Sequence, residues 1–321
     1  MIRIGIVGGA GYTAGELLRI LLRHPEAHIQ FIHSKSHANQ LVSVVHQDLV
    51  GEADLRFSED IRSDIDVLFL CMGHGASKTF LAENDIHDRI KIIDLSRDFR
   101  LADTAENFVY GLPEWKKSEI VKAHHIANPG CFATAMQLAL LPLAAEGLLK
   151  EDVHLQGITG STGAGQRPTA TTHFSWRNNN VSLYKTLRHQ HMTEVNQSVR
   201  ILQSDYRGHL HFIPMRGNFT RGILVSAYSH LDISQAQLEE LYHDYYISAA
   251  FTHICSENIH LKQVVNTNKA LLYIEKIDDQ VVVVSAIDNL LKGASGQAVQ
   301  NMNLIFELEE KMGLELKGSY F

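Results

Sequence analysis

The chain has 321 residues, 45% hydrophobic and 20% charged, a composition typical of a globular protein long enough for two domains. Its formal net charge of -7 argues against non-specific binding to nucleic acid or to an anionic membrane. No apolar run approaches the roughly 20 residues that span a bilayer, so we expect neither kind of partner.

Cysteine and histidine usage argues against a secreted or a zinc-binding protein. The cysteines at positions 71, 131 and 255 lack paired or metal-ligand spacing, and the 19 histidines include no His-Glu-x-x-His motif. The chain begins directly with an apolar strand, so we expect no signal peptide. A reduced, cytoplasmic setting without a metal site is therefore expected.

Short apolar runs and helices alternate in the first third of the chain. Ile2–Val7 predicts a strand, and leucines on one side predict a helix from about Thr13 to Arg23. Further strands are predicted at residues 28–32, 66–70 and 91–95. Such runs suit a parallel sheet buried on both faces. The alternation predicts an α/β fold, a Rossmann-like doubly wound domain with right-handed crossovers.

The second half predicts an α+β domain with a mixed, largely antiparallel sheet. A helix is expected from about residue 234 to 247, with Ser234 as its N-cap. The expected strands, of which the last two form a hairpin, are Val153–Thr159, His211–Pro214, Gly222–Leu231, Ala270–Ile277 and Val281–Ile287.

A final helix, from about Gly293 to Met312, is expected to pack back on the first domain. The expected division is therefore discontinuous. Residues 1–130 and 293–321 would form the first domain, and residues 131–292 the second.

A glycine-rich turn follows the first strand and opens the first helix. Gly8 permits the tight turn, and Gly11 lets the backbone approach a pyrophosphate beside Tyr12 and Thr13 at the helix N-terminus. A structural turn is the alternative, but this context favours a dinucleotide. Gly73 follows the third predicted strand, at the edge where doubly wound sheets bind ligands.

The end of the second strand favours NADP(H) over NAD(H). An NAD enzyme usually offers an acidic residue there, whereas this strand is followed by Ser34, Lys35 and Ser36. Hydroxyls and a cation suit the 2′-phosphate of NADP. The alternative is that Lys35 is a solvated loop lysine.

Cys131 lies where a helix is predicted to begin, after an apolar stretch and a Pro-Gly turn. The positive end of the helix dipole favours a thiolate there. A thiolate can capture an acyl group as a thioester, to which a nicotinamide can deliver hydride. From this residue alone, a buried structural thiol is an equal alternative.

Six segments occur in order along the chain. They are Asp94–Arg100, Tyr110–Glu114, Asn128–Cys131, Gly160–Gly165, His189–Glu194 and Asp288–Ala298. With these motifs the chain resembles the N-acetyl-gamma-glutamyl-phosphate reductase family of arginine biosynthesis, in the aspartate-semialdehyde dehydrogenase superfamily. The resemblance covers essentially the whole chain, from Ile4 to Asn303.

The resemblance implies NADPH-dependent reduction of an N-acyl-γ-glutamyl phosphate to its γ-semialdehyde, with release of phosphate. Cys131 would be the nucleophile, His191 the acid/base and Glu194 the residue that orients the imidazole. His189 is the near alternative to His191, and His191 could instead cap the helix that begins near Thr193.

The same resemblance implies the remaining site residues and the assembly. Substrate binding is expected from Ser96, Arg100, Arg167 and His189, and cofactor binding also from Ser161, Gly163, Asn289 and Lys292. A helix opening at Gly293 would direct N–H groups at the cofactor. A homodimer or homotetramer is implied, with residues 1–130 and 293–321 as the NADP-binding domain and residues 131–292 as the catalytic and dimerisation domain.

Three places depart from the family pattern. Gln166 precedes Arg167 where the family usually has arginine, the segment Pro214–Gly222 is stretched, and residues 173–180 are unusual. They leave open an N-succinyl or a carrier-linked aminoadipyl substrate, with aspartyl phosphate the weakest alternative. A non-catalytic NADPH sensor is the alternative of another class, whereas the ligand spacing does not suit a metal-dependent hydrolase.

Overall fold

A computed structural model describes residues 1–321 of the protein. The chain divides into two compact units, Met1–Pro129 with Ala294–Glu315, and Gly130–Gly293 with Leu316–Phe321. None of the helices has both the length and the apolar character that crossing a membrane requires.

The last six residues differ from the expected division, which placed residues 293–321 together. The backbone N–H of Ser319 donates to the carbonyl of Val265, and the Asn266 amide donates to the Ser319 hydroxyl at 2.6 Å. These bonds tie the C-terminal segment to the second unit.

The first unit contains a six-stranded parallel sheet with helices between its strands. The strands lie in the order β2-β1-β3-β4-β6-β5, and every neighbouring pair is parallel. The strands are β1 (Ile2–Val7), β2 (Ala27–His33), β3 (Val67–Leu70), β4 (Lys91–Asp94), β5 (Phe108–Tyr110) and β6 (His125–Ala127). The helices are α1 (Tyr12–Leu21), α2 (Val42–Val45), α3 (Ala76–Glu83), α4 (Pro113–Ile120) and α9 (Gly296–Ile305).

The second unit contains a seven-stranded mixed sheet with four helices. Its order is β11-β12-β13-β10-β7-β9-β8, with β7/β9 and β11/β12 parallel and the other pairs antiparallel. The strands are β7 (Val153–Thr159), β8 (Ser182–Leu183), β9 (Leu210–Arg216), β10 (Ile223–His230), β11 (Thr252–Cys255), β12 (Ala270–Ile277) and β13 (Gln280–Ile287). The helices are α5 (Cys131–Ala145), α6 (Phe174–Arg177), α7 (Met192–Leu202) and α8 (Gln235–Tyr246).

The predicted fold class is confirmed in both units. The doubly wound parallel sheet and the largely antiparallel mixed sheet are present, and β12 and β13 form the expected hairpin. Asp278 in its turn has φ 53°, the left-handed conformation that two-residue hairpin loops require. Ser234 caps α8 through the backbone N–H of Gln237, as predicted.

Helix α5 is the buried centre of the second unit. Every residue from Phe132 to Ala144 is buried, because the helix packs between α7, α8 and strands of the mixed sheet. Pro142 has no N–H for the carbonyl of Leu138, and the hydroxyl of Tyr246 donates to that carbonyl at 2.7 Å. The proline is thus accommodated by a side chain of α8.

The last helix is shorter than the sequence suggests. Helix α9 ends at Ile305 rather than near residue 312, because Glu307 adopts a left-handed φ of 56°. The N–H groups of Glu307 and Leu308 then donate to the carbonyls of Leu304 and Asn303, the Schellman pattern of a helix end. Because this position holds glutamate rather than the usual glycine, the end of the helix could not be recognised from the sequence.

Replacing Glu307 by glycine should stabilise the protein. Glycine adopts the left-handed conformation without steric cost, which outweighs its greater freedom in the unfolded chain. We expect Glu307→Gly to raise the free energy of unfolding by about 0.5–1 kcal/mol in denaturant titration. Glu309→Gly, at a neighbouring exposed glutamate without positive φ, should lower it instead. Equal effects of the two changes would contradict this account of the helix end.

Candidate active site

The glycine turn of the first unit has the geometry of a nucleotide cradle. Gly8 has φ 80°, and a Cβ there would lie 2.6 Å from the carbonyl oxygen of Cys71. Gly11 precedes α1 in extended conformation, and a Cβ there would have only the Gly8 carbonyl within 4 Å. No side chain caps α1, so Tyr12 and Thr13 lie in a helix start that is open to an anion.

The residues after β2 keep the character expected for a 2′-phosphate site. Ser34 is buried, and its hydroxyl lies 3.4 Å from that of Ser36. Lys35 is exposed at the start of a short 3₁₀ helix. No acidic side chain occupies the positions from Ser34 to Gln40.

The loop after β3 separates a buried thiol from an exposed glycine. Burial raises the pKa of Cys71 to about 12, so this thiol stays protonated. Gly73 is exposed, with open space where a Cβ would be. Burial also raises the pKa of Cys255, so neither of these two thiols suits the role of a nucleophile.

Ser96 and Arg100 are part of the framework of the first unit. The Ser96 hydroxyl donates to the Asp94 carboxylate at 2.7 Å. The buried Arg100 guanidinium donates to the carbonyls of Leu95 and Asn128, each at 2.8 Å. These bonds join the ends of β4 and β6, and a role for the two residues in substrate binding stays a prediction.

In the second unit, Cys131 is the first residue of α5 and is half-buried. Gly130 precedes it in extended conformation, and its backbone N–H donates to Oε2 of Glu194 at 3.0 Å. Glu194 lies in the first turn of α7 and is buried. This carboxylate therefore fixes the backbone next to the thiol, in addition to any effect on the histidines.

The two histidines of the motif lie together beside the start of α5. His191 is the N-cap of α7, and its backbone N–H donates to Nδ1 of His189 at 3.2 Å. Their ring centroids are 4.8 Å apart. The His189 ring also meets Phe132, the neighbour of Cys131 in sequence, at 5.4 Å. The predicted catalytic residues of this unit are thus brought together.

The surroundings of His189 keep its imidazole neutral. Its ring is enclosed by Phe132, Phe212 and Tyr184, with centroids 5.4–5.6 Å away. Burial, assisted by the charges of Lys185 and Arg216, lowers the pKa of His189 to about 4. A group with this pKa carries almost no proton at neutral pH.

Two further residues belong to this cluster and were missed by sequence reasoning. Tyr184 packs edge-on against His189, and the Arg216 guanidinium lies 4.4 Å from the centre of the Tyr184 ring. Burial raises the pKa of Tyr184, and the charge of Cys131 raises it further, while Arg216 opposes the shift. The only signal in the sequence was the position of Tyr184 shortly before the histidine motif.

The segment after β13 supports Cys131 from another side. Residues 291–295 form a π-helical turn in which the Gly293 N–H donates to the Asp288 carbonyl at 2.9 Å. The expected helix opening at Gly293, with its N–H directed at a cofactor, is therefore wrong. A Cβ on Gly293 would lie 2.9 Å from the Cβ of Cys131, so glycine is needed for this close approach.

A buried ion pair holds the start of that turn. The Asp288 carboxylate accepts from Arg221 at 3.0 and 3.2 Å, and from the N–H groups of Leu290 and Leu291. The Arg221 guanidinium is thus engaged within the protein. Removing it would leave a buried carboxylate without its cation.

The remaining candidates of the second unit fall into two groups. Asn289 accepts from the Gly222 N–H at 2.7 Å and donates to the Thr162 hydroxyl at 3.0 Å, while Lys292 is fully buried. Ser161 and Gly163 lie in the 3₁₀ turn Ser161–Ala164, and Arg167 is exposed just beyond it. No group of three or more histidine, cysteine or acidic residues is placed to hold a metal.

Comparisons with known proteins agree with the fold and the motifs. Residues 3–123 match the semialdehyde dehydrogenase NAD binding domain, and residues 131–289 match the semialdehyde dehydrogenase dimerisation domain. Aspartate semialdehyde dehydrogenase II of Vibrio cholerae superposes with a TM-score of 0.74 at 14% identity, covering 96% of this chain and 98% of that one. The enzyme of Candida albicans, solved with NADP, gives 0.72 at 10% identity, covering 96% and 99%. The fold is that of a semialdehyde dehydrogenase.

Relatives of higher identity define the family more closely. The N-acetyl-gamma-glutamyl-phosphate reductase of Christiangramia forsetii is 54% identical over 321 residues, covering 100% of both chains. That of Parabacteroides distasonis is 53% identical over 322 residues, with the same coverage. The chain belongs to the N-acetyl-gamma-glutamyl-phosphate reductase family, which confirms the resemblance inferred from its six motifs.

The neutral state of His189 predicts a pH-dependent stability. Unfolded, this histidine takes up a proton near its ordinary pKa of 6.5, whereas the folded protein does so only near 4. The unfolded chain thus binds more protons between these values, and stability falls as the pH is lowered through them. At roughly 1.4 kcal/mol per pKa unit, the loss is about 2–3 kcal/mol.

Unfolding titrations at pH 7 and pH 4 would measure this loss. Wild type should lose about 2–3 kcal/mol more than His189→Asn over this range. His243→Asn, at an exposed histidine on α8, should follow the wild type. Parallel pH curves for wild type and His189→Asn would contradict the lowered pKa.

Proposed function

We propose that this protein reduces N-acetyl-γ-glutamyl phosphate to N-acetyl-glutamate γ-semialdehyde with NADPH, releasing phosphate, in arginine biosynthesis. The observation that carries the proposal is the position of Cys131 as first residue of α5, beside His189 and His191. The full-length relatives named for this activity support the choice of substrate.

The chemistry begins with Cys131 acting as nucleophile. Its Sγ attacks the γ-carbonyl carbon, and the bond from that carbon to the phosphate oxygen breaks, which gives a thioester and phosphate. NADPH, when bound, supplies the hydride that reduces the thioester carbon. The resulting tetrahedral oxygen gives its electrons back to carbon, the C–S bond breaks, and Cys131 is recovered as the aldehyde leaves.

We assign proton transfer to His191 rather than His189. A general acid or base works best with a pKa near the operating pH, and the lowered pKa of His189 removes it from that range. His189 instead lies between the aromatic wall and His191, where it holds the backbone of His191 through Nδ1. Glu194 keeps Gly130 in place, so the thiol and the histidines are fixed by the same helix, α7.

Residues of the first unit fit the cofactor and are proposed to hold it. The pyrophosphate would bind at the start of α1, where no side chain caps the helix, beside Gly8, Gly11, Tyr12 and Thr13. The turn requires glycine at position 8, because a side chain there would collide with the backbone of Cys71. Ser34 and Lys35 would receive the 2′-phosphate, and Gly73 would border the cofactor. Ser161, Gly163, Asn289 and Lys292 are kept as proposed contacts from the second unit.

The proposal is best tested in reverse, because the acyl phosphate is labile. The purified protein should reduce NADP with N-acetyl-glutamate γ-semialdehyde in a reaction that requires phosphate. Cys131→Ser should lower turnover by at least about 10³-fold, since the thiolate nucleophile is lost, and should leave NADPH binding unchanged. Cys255→Ser is the matched control and should retain full activity. Retained turnover in Cys131→Ser would contradict the thioester mechanism.

The same assay with two aldehydes identifies the N-acyl group of the substrate. The N-acetyl semialdehyde should be the better substrate, and the N-succinyl semialdehyde tests the runner-up. A higher kcat/KM for the succinyl compound would keep the mechanism and replace the substrate. Binding of NADPH without turnover of either aldehyde would favour a non-catalytic sensor.

Lys35 provides a test of the cofactor preference. Lys35→Ala should raise the KM for NADP about 5- to 10-fold, because an exposed charge contact to the 2′-phosphate is lost, and leave the KM for NAD unchanged. Lys122→Ala, at an exposed lysine after α4, serves as control and should change neither value. An equal loss for both cofactors in Lys35→Ala would contradict the assignment.

We further propose a cytoplasmic homo-oligomer. None of the three cysteines forms a disulfide, which is typical of a reducing compartment. The match of residues 131–289 to a dimerisation domain supports self-association. Light scattering of the purified protein measures the assembly directly.

A further inference from the structure

Two segments around the catalytic cluster contain cations and no carboxylates, and Glu194, which follows the first segment, accepts from the backbone of Gly130. Residues 153–193 include Arg167, Arg177, Lys185 and Arg188 and not one Asp or Glu, although the whole chain has a net charge of -7. Residues 206–231 likewise contain three arginines and no acidic residue. A local excess of one charge sign raises the concentration of ligands of the other sign.

Arg216 is the member of this set that stacks on Tyr184, a ring of the aromatic cluster around His189. It is half-buried at the end of β9, where its guanidinium lies over the ring of Tyr184 at 4.4 Å. One edge of the guanidinium donates to the Thr171 hydroxyl at 3.1 Å. No carboxylate contacts it in the structure.

Arg177 holds this arrangement from behind. Its own buried guanidinium donates to the carbonyl of Arg216 at 2.8 Å, and also to the carbonyls of Thr171 and Asn180 and the hydroxyl of Ser182. The two guanidiniums are close enough for their charges to repel each other, and both bind only neutral oxygens. Keeping two such cations together costs free energy unless an anion lies beside them. A planar carboxylate matches the open edge of such a fork.

Tyr184 connects this cation to the reacting atoms. The Tyr184 ring lies 5.6 Å from the His189 ring, and His189 lies 5.4 Å from Phe132, the residue after Cys131. The proposed substrate has its α-carboxylate several bonds away from the γ-carbonyl carbon that Cys131 attacks. An anion site on the far side of this aromatic cluster from Phe132 suits the carboxylate, whereas the departing phosphate is bonded to the attacked carbon itself.

We propose that Arg216, stacked on Tyr184, binds the α-carboxylate of the N-acyl-glutamyl substrate and makes it a determinant of specificity. This inference rests on the proposed function, and it adds the group that selects an amino-acid-derived aldehyde over a neutral one. Thr171 and Arg177 position the guanidinium.

The test compares two aldehydes in the reverse reaction with the intact enzyme. N-acetyl-glutamate γ-semialdehyde carries the carboxylate, and 4-acetamidobutanal is the same molecule without it. Wild type should prefer the first in kcat/KM. Arg216→Gln should reduce this preference about 10- to 100-fold, through a higher KM for the carboxylate substrate, and leave 4-acetamidobutanal nearly unchanged. A structural role would lower both activities together.

Three further variants separate charge from structure. Arg216→Lys should retain part of the preference, because lysine keeps the charge but not the paired N–H donors of the guanidinium. This variant also tests the proposal if Arg216→Gln does not fold. Thr171→Val removes the hydrogen bond that positions the guanidinium, so it should lower the preference, but less than Arg216→Gln does. Arg188→Gln removes an exposed cation of the same segment and is the control, which should keep the wild-type preference within about threefold.

Several outcomes would overturn the inference. An unchanged preference in Arg216→Gln, or an equal loss for both aldehydes, would remove Arg216 from carboxylate binding. A raised KM for phosphate with an unchanged aldehyde preference would assign the cation to phosphate instead. Absence of turnover in the wild type with any N-acyl-glutamate semialdehyde would be a failure of the proposed function itself.

Discussion

The burial of helix α5 is the constraint on which the candidate site depends. A helix that is apolar on all sides has to be enclosed by its neighbours, and α7, α8 and the mixed sheet supply that enclosure. Only the two end residues are not buried: Cys131 is half-buried, and Ala145 at the other end is exposed. The carbonyl freed by Pro142 is bound by Tyr246, so even the irregular turn of the helix is fixed. The thiol is thereby attached to a helix enclosed by its neighbours rather than to a loop.

Positive and negative side chains are distributed unequally in the segments around the thiol. Cations are supplied by residues 177–188 and 216, and the carboxylate of Glu194 is directed at the backbone of Gly130. The imidazole of His189 is kept neutral by burial in its aromatic enclosure and, to a smaller extent, by the charges of Lys185 and Arg216, which lower its pKa. Because the positive charges are not neutralised by acidic neighbours, they remain free to attract a substrate with two anionic groups.

Local sequence patterns were sufficient to predict most of the longer strands, but not the contacts between residues far apart in the sequence. Apolar runs predicted β1, β2, β3 and β4 because parallel strands are buried on both faces. The three-residue strands β5 and β6 were missed, since so short a pattern carries no period. Strand β9 was cut short at Pro214, which marks a strand end by rule, although the strand continues to Arg216. The motifs located Cys131, His189, His191 and Glu194, whereas the pair Arg221 and Asp288 is 67 residues apart and no local pattern joins it.

Two of the three segments that depart from the family pattern are joined by hydrogen bonds in the structure. Arg177, in the unusual segment 173–180, donates to the carbonyl of Arg216, in the stretched segment 214–222, and to the carbonyl of Thr171. A change of length or sequence in either segment would move the guanidinium that stacks on Tyr184. The position of the guanidinium proposed to bind the substrate carboxylate is therefore set by hydrogen bonds that join the two segments to each other and to Thr171.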